Sequence, residues 1–192
     1  MDRSVDRKRL IKVSKYLSKH LRHHPERLGL ELSPGGWVPV EDLLQAMKRN
    51  NFPVSRSELE LVVAENDKQR FSFDASKDMI RATQGHSILV DLGLEPVQPP
   101  KRLYHGTSWQ NLSPILSTGL RRMGRNHVHL CSSPGEARQV GARRGRPVVL
   151  EIDAAGMAKA GHRFFLSDNG VWLVEEVPPR FARPLEPSLR QG

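Results

Sequence analysis

Apolar positions in the first third of the chain fall at helical spacing. Leu10, Val13, Leu17 and Leu21 recur every three or four residues and make one stripe, and Pro25 ends the run because proline cannot continue a helix interior. Leu43, Leu44 and Met47 predict a second helix over 41–49 behind a short strand over 37–40. A third helix is expected from Ser55 to about Glu65: Ser55 and Glu58 stand at capping-box spacing ahead of Leu59, Leu61, Val62 and Val63. Period-two alternation then takes over. Phe71 and Phe73 mark one strand, residues 74–78 a turn, and 79–83 a returning strand. Three helices followed by a hairpin is the order of a winged helix.

Residues 95–100, EPVQPP, suit neither a helix nor a central strand and predict a linker between a first domain over 1–94 and a second over 101–192. Beyond it the pattern breaks into short strands, 102–105, 127–131, 147–152 and 170–177, with helical stretches at 108–118 and 136–142. The expected class is α+β, with an antiparallel second domain.

Charge changes this picture more than bulk composition does. The chain has 192 residues and a net charge of +9. Residues 1–27 hold nine Lys or Arg against three acids, and residues 121–146 hold seven arginines against Glu136 alone. Two basic zones favour a polyanionic partner such as nucleic acid, with excess surface arginine the plainer reading. A single cysteine, Cys131, excludes an intrachain disulfide. No apolar run approaches the roughly 18 residues of a membrane span, and Met1 leads into charged residues rather than a signal core, so a cytoplasmic protein without membrane association is expected.

Neither G-x-G-x-x-G nor G-x-x-x-x-G-K-[ST] occurs, which rejects the common nucleotide-binding loops. His127 and His129 would share a strand face, but no third ligand has matching spacing, so no metal site is expected. The densest local chemistry is KHLRHH at 19–24, on the last turn of the first helix. Cations there suit the negative end of the helix dipole, and the same group could hold a phosphate.

Seven separated segments carry a resemblance. LSKHLRHHP (17–25), NDKQRF (66–71), IRATQGHS (80–87), LYHGT (103–107), HVHLC (127–131), VGARRGRPVVL (140–150) and SDNGVWLVEEVPP (167–179) together resemble the RNA 2′-phosphotransferase (Tpt1/KptA) family, in order and over nearly the whole chain. The resemblance implies an N-terminal winged-helix lobe and a C-terminal ADP-ribosyltransferase-like lobe that binds NAD⁺. It implies removal of an RNA 2′-phosphate, as left at a tRNA splice junction, by transfer to NAD⁺. The phosphate would attack the ribose carbon bearing nicotinamide. The neighbouring ribose hydroxyl would then attack phosphorus, releasing 2′-hydroxyl RNA and ADP-ribose 1″,2″-cyclic phosphate.

Carried over residue by residue, the resemblance makes Arg22, His23, Arg70 and Arg143 the catalytic set, and His105, Gly106, Thr107, His129 and Asn169 the NAD⁺ contacts. Arginine forks suit a phosphate in both steps, and His23 would orient the phosphate or a hydroxyl. Gly106 would let the backbone approach nicotinamide. His129 also reads as a satisfied buried histidine, and Asn169 as a turn residue. Gln84, Gly85 and His86 fall on the phosphate side. Arg144 stands where many relatives carry histidine, so the 143/144 register is open, and Cys131 replaces a more usual serine, packing as a small apolar group. A phosphate nucleophile is already ionised, so Glu175 and Glu176 receive no catalytic role and read as exposed charges on an edge strand. The expected partner is RNA bearing a 2′-phosphate; ADP-ribosylation of a terminal phosphate and non-catalytic nucleic-acid binding are the alternatives.

Overall fold

A computed structural model describes residues 7–66 and 68–185, a mixture of helices and antiparallel sheets of the α+β class. The chain divides into two compact units, Met1–Gly93 and Leu94–Gly192.

The first unit opens with α1 (Arg7–Arg22), which buries Val13, Leu17 and Leu21 completely. A one-turn 3-10 helix, Pro25–Leu28, follows and closes on Gly29, whose φ of +66° needs no Cβ. Next come β1 (Trp37–Pro39), α2 (Val40–Arg49), α3 (Arg56–Ala64), β2 (Phe71–Phe73) and β3 (Met79–Ala82). The expected elements stand within a residue or two of their predicted places. At α3 both halves of the capping box form: Ser55 Oγ accepts from the Glu58 N–H at 3.1 Å, and Glu58 accepts from the Ser55 N–H at 2.9 Å.

The three strands form one antiparallel sheet in the order β1-β3-β2, with Trp37 opposite Arg81 and Phe71 opposite Ala82. Alternation puts Ile80, Ala82 and Phe71 into the core beside Leu17, Leu21, Leu43, Met47 and Leu59. Each fully buried leucine there is worth roughly 2–5 kcal/mol against alanine.

In the second unit, β4 (Leu103–Ser108) pairs with β7 (Pro147–Ile152), and β11 (Ala182–Pro184) completes that sheet in the order β11-β7-β4. A second sheet has the order β6-β9-β8, from β6 (Val128–Leu130), β8 (Phe164–Leu166) and β9 (Trp172–Val174). Tyr104 and Cys131 join the two sheets by reciprocal backbone bonds of 2.9 and 2.7 Å. The pair β5 (Leu120–Arg121) and β10 (Glu176–Val177) stands apart, and α4 (Leu112–Thr118), α5 (Pro134–Gly141) and α6 (Ala154–Lys159) complete the unit.

Three expectations change here. The stretch predicted as a linker is tied down: Pro96 bridges Phe165, and the Val97 N–H donates to the Phe164 carbonyl at 2.8 Å. Proline can occupy such an edge position because its missing N–H points away from the pairing. The strand predicted over 170–177 breaks at Glu175 into β9 and β10, which belong to different sheets. Glu175 and Glu176 are exposed, as expected, but Glu176 alone of the two stands on a strand, β10 of the two-stranded sheet, while Glu175 lies in the bend before it.

Candidate active site

The cation-rich turn at 19–24 does not act as one cluster. His20 faces inward, 5% exposed, with Nδ1 3.2 Å from the His24 carbonyl and its ring against Tyr16. Burial lowers its pKa below the ordinary value. His24 turns toward Glu26 at 3.1 Å. Arg22 and His23 remain, with Lys19, on the wall of a groove of about 1050 Å³ in the first unit. Helix phase separates His20 from Arg22, about 200° apart, while His23 lies past the end of α1, where Ser87 meets its ring.

Arg70 lines the same groove, 48 positions further along. Three contacts place it. Its Nη1 donates to Asn66 Oδ1 at 3.0 Å, and its backbone carbonyl accepts from both Arg22 Nη2 at 3.3 Å and the Thr83 N–H at 3.0 Å. The Arg22 guanidinium also lies 6.0 Å from the centre of the Phe71 ring, a cation–π separation. Arg7, Lys15, Lys19 and Lys68 add charge to the walls, against Glu65 among the described residues, so the groove suits an anion.

His86, between Gln84–Gly85 and Ser87, is 2% exposed, and neither ring nitrogen makes a hydrogen bond. Burial first, then the charges of Arg22, His23 and Arg81, pushes its pKa down to about 4, so the ring is neutral at pH 7.

In the second unit, β4 carries His105, Gly106 and Thr107. His105 Nδ1 lies 3.0 Å from the His129 carbonyl. His129 is half-exposed rather than buried, and its Nδ1 sits 3.0 Å from Arg125 Nη1, an arrangement in which arginine donates and the ring accepts. Gly106 also has a packing reason. A Cβ there would stand 1.6 Å from the Ala137 carbonyl oxygen, so the glycine is required by the seating of α5 on β4. Gly141 answers it from the helix side, its built Cβ 2.6 Å from the Thr107 carbonyl oxygen.

That close seating brings the 3-10 turn Ala142–Arg144, with the exposed Arg143, against β4. The side chain of Arg144, on which the register question depends, lies outside the described residues. Asn169 occupies the turn between β8 and β9, its Oδ1 accepting from Ser167 Oγ at 2.8 Å. His127 lies just before β6, half-buried, edge-on to Phe165 at 5.7 Å. Burial and then Arg122 lower its pKa, with Glu175 opposing. Among the described residues no group of three His, Cys, Asp or Glu could hold a metal, and no helix is long and apolar enough to cross a membrane.

The structure thus groups Arg22, His23 and Arg70 in one unit, and His105, Gly106, Thr107, His129 and the Arg143 turn in the other. Asn66, Ser87 and Arg125 hold nominated residues and were not singled out from sequence. Asn66 and Ser87 lay inside quoted motifs, where a polar residue beside a functional one was the available signal; Arg125 was lost among many arginines.

The described residues thus form an α+β chain whose first unit carries a groove lined by arginine and lysine. Residues 8–176 match the RNA 2′-phosphotransferase, Tpt1/KptA family, and the chain belongs to that family, whose members are transferases. It is 55% identical over 177 residues to a protein of Nostoc punctiforme, covering 92% of this chain and 98% of that one. It is 57% identical over 177 residues to one of Herpetosiphon aurantiacus, covering 92% and 97%, and 54% identical over 184 residues to one of Streptomyces griseus, again 92% and 97%. Each is described as a "probable RNA 2′-phosphotransferase".

Proposed function

We propose that this protein removes an internal 2′-phosphate from RNA, as at a tRNA splice junction, by transferring it to NAD⁺. The first unit acts as a winged-helix phosphate-binding lobe and the second as an ADP-ribosyltransferase-like NAD⁺-binding lobe. The observation that carries this is the meeting of Arg22, His23 and Arg70 on one cationic groove, from a helix end and a loop 48 positions apart.

Each side chain has a chemical task. Arg70 offers the groove a guanidinium steadied by Asn66, and Arg22 one steadied by the Arg70 carbonyl and Phe71. Such held guanidinium groups grip phosphate oxygens bidentately and spend little entropy on binding. They also stabilise charge that shifts on phosphorus during transfer. His23 orients the phosphate or moves a proton to a hydroxyl oxygen.

The second unit's donor set fits an anionic dinucleotide. His105 and His129 are fixed neighbours, Arg125 and Arg143 supply positive charge, and Thr107 and Asn169 supply polar contacts. NAD⁺, when bound, supplies the ribose carbon that receives the phosphate. His105 and His129 would hold that ribose, and Arg143 would offer its guanidinium to a phosphate oxygen of the ligand. A phosphate is ionised at pH 7, so no carboxylate base is needed, in accord with the exposed positions of Glu175 and Glu176.

The test incubates the protein with a short RNA bearing one internal 2′-phosphate, with and without NAD⁺, and follows nicotinamide release and loss of the phosphate. Phosphate removal that depends on NAD⁺, and that Arg70→Ala reduces by roughly 100-fold or more, is expected. Removal at an equal rate without NAD⁺ would reject the reading.

A further inference from the structure

Ser87 makes two hydrogen bonds to consecutive residues at the end of α1. Its N–H donates to the Arg22 carbonyl at 3.0 Å, and its Oγ lies 2.8 Å from His23 Nδ1. The first satisfies one of the carbonyls that a helix C-terminus leaves without an intrahelical partner. The second reaches a side chain just past the last helical turn, where the His23 and His24 N–H groups both converge on the Lys19 carbonyl, at 3.2 and 3.1 Å. A histidine in such a position keeps its rotamer freedom unless something outside the helix holds its ring.

The segment carrying Ser87 is itself anchored. His86 is almost wholly buried and its ring backs onto the turn at Gly36, where a built Cβ would stand 3.5 Å from His86 Nε2. Ser87, one residue on, is exposed and faces the helix end. Residues 85–87 therefore form a strap, buried at His86 and bonded to α1 at Ser87.

We propose that Ser87 is a positioning residue for His23, holding the imidazole through Nδ1 and so setting the direction in which Nε2 points. This rests on the reading of His23 as part of the phosphate site. A hydroxyl can donate or accept, which suits a ring that changes protonation. With the hydrogen of a neutral ring on Nε2, Ser87 donates to Nδ1. With an imidazolium, Ser87 accepts from Nδ1–H. The ring keeps its orientation through both states. A carboxylate at this place would favour only the charged ring, and a methyl group would hold neither.

The experiment compares Ser87→Ala and Ser87→Thr with the unaltered protein by steady-state kinetics on a 2′-phosphorylated RNA and by 15N NMR of the histidine rings, with His23→Gln assigning the His23 signals. Ser87→Ala is expected to lower kcat by about tenfold or more with KM little changed, since a small misplacement of a reacting group is costly in rate. The His23 nitrogen shifts should move toward those of a freely exchanging imidazole. Ser87→Thr keeps the hydroxyl and should restore both readouts. Unchanged His23 shifts in Ser87→Ala would overturn the proposal, as would a changed spectrum with an unaltered kcat. If the unaltered protein does not act on 2′-phosphorylated RNA, the proposed function fails, while the NMR comparison still decides whether Ser87 holds the ring.

Discussion

Asn66 Oδ1 accepts from Arg70 Nη1 at 3.0 Å while Asn66 Nδ2 donates to Ser14 Oγ at 3.0 Å, so one amide ties the groove arginine to the middle of α1. The same oxygen accepts from the Lys68 N–H at 3.2 Å. Asn66 is 9% exposed, so its bonds are shielded from competing water. Asn66→Ala should reduce turnover of 2′-phosphorylated RNA by about tenfold through loss of Arg70 placement. Asn66→Asp, which keeps the acceptor, should lose less. Wild-type kcat in Asn66→Ala would show that Arg70 needs no such support.

His86 makes native stability depend on pH. Its folded-state pKa of about 4 lies below the ordinary 6.5, so the unfolded chain binds a proton that the native protein refuses. The sign follows: stability is fully present above about pH 6.5 and falls as pH drops toward 4, by at most about 3 kcal/mol from this group. His86→Leu removes the titrating ring and leaves no buried N–H unmatched, so urea unfolding at pH 7 and pH 4.5 should differ less for the variant. An equal pH dependence in both proteins would show that His86 is protonated at little cost.

Much of the first unit was legible because its signals are local and redundant. The capping pair Ser55 and Glu58 announces α3, and Phe71 with Phe73 announces β2. The second unit was harder. β5, β8 and β11 span two or three residues each, too few for a period to show, and they are defined by partners far away, as Ala182 is by Ile152. The break at Glu175 has the same origin, since only the pairing of Glu176 with Arg121 shows that the chain has changed sheets. At the candidate site, residue types were legible and their supports were not. Nothing in KHLRHH tells that His20 turns into the core while His23 meets Ser87, because that depends on helix phase and on a segment 64 positions away.

Cys131 should be a slow thiol. Burial first, and the nearby Glu136 charge second, raise its pKa to about 11 from the ordinary 9.0. At pH 7.5 the thiolate fraction is then on the order of 100-fold below that of an unperturbed cysteine. Iodoacetamide labelling followed by mass spectrometry should show Cys131 modified far more slowly in the native protein than in urea. Equal rates would mean that the strand end carrying Cys131 opens readily.

The glycine pair on β4 and α5 offers the most decisive test of the second unit. At Gly106 the obstructing atom is a backbone oxygen, that of Ala137, which cannot swing aside as a flexible side chain would. Gly106→Ala must therefore push α5 off β4, at a cost on the order of 3 kcal/mol, the upper part of the usual range for overpacking. Gly135, near the start of α5, has open space beyond its Cα, so Gly135→Ala should be tolerated within roughly 1 kcal/mol. Thermal unfolding followed by circular dichroism compares the two. The movement of α5 would also displace the Arg143 turn, so a Gly106→Ala protein that still folds at lower temperature should lose activity while its Arg22 and Arg70 groove still binds inorganic phosphate. A Gly106→Ala protein with an unaltered Tm would refute the close seating of helix on strand.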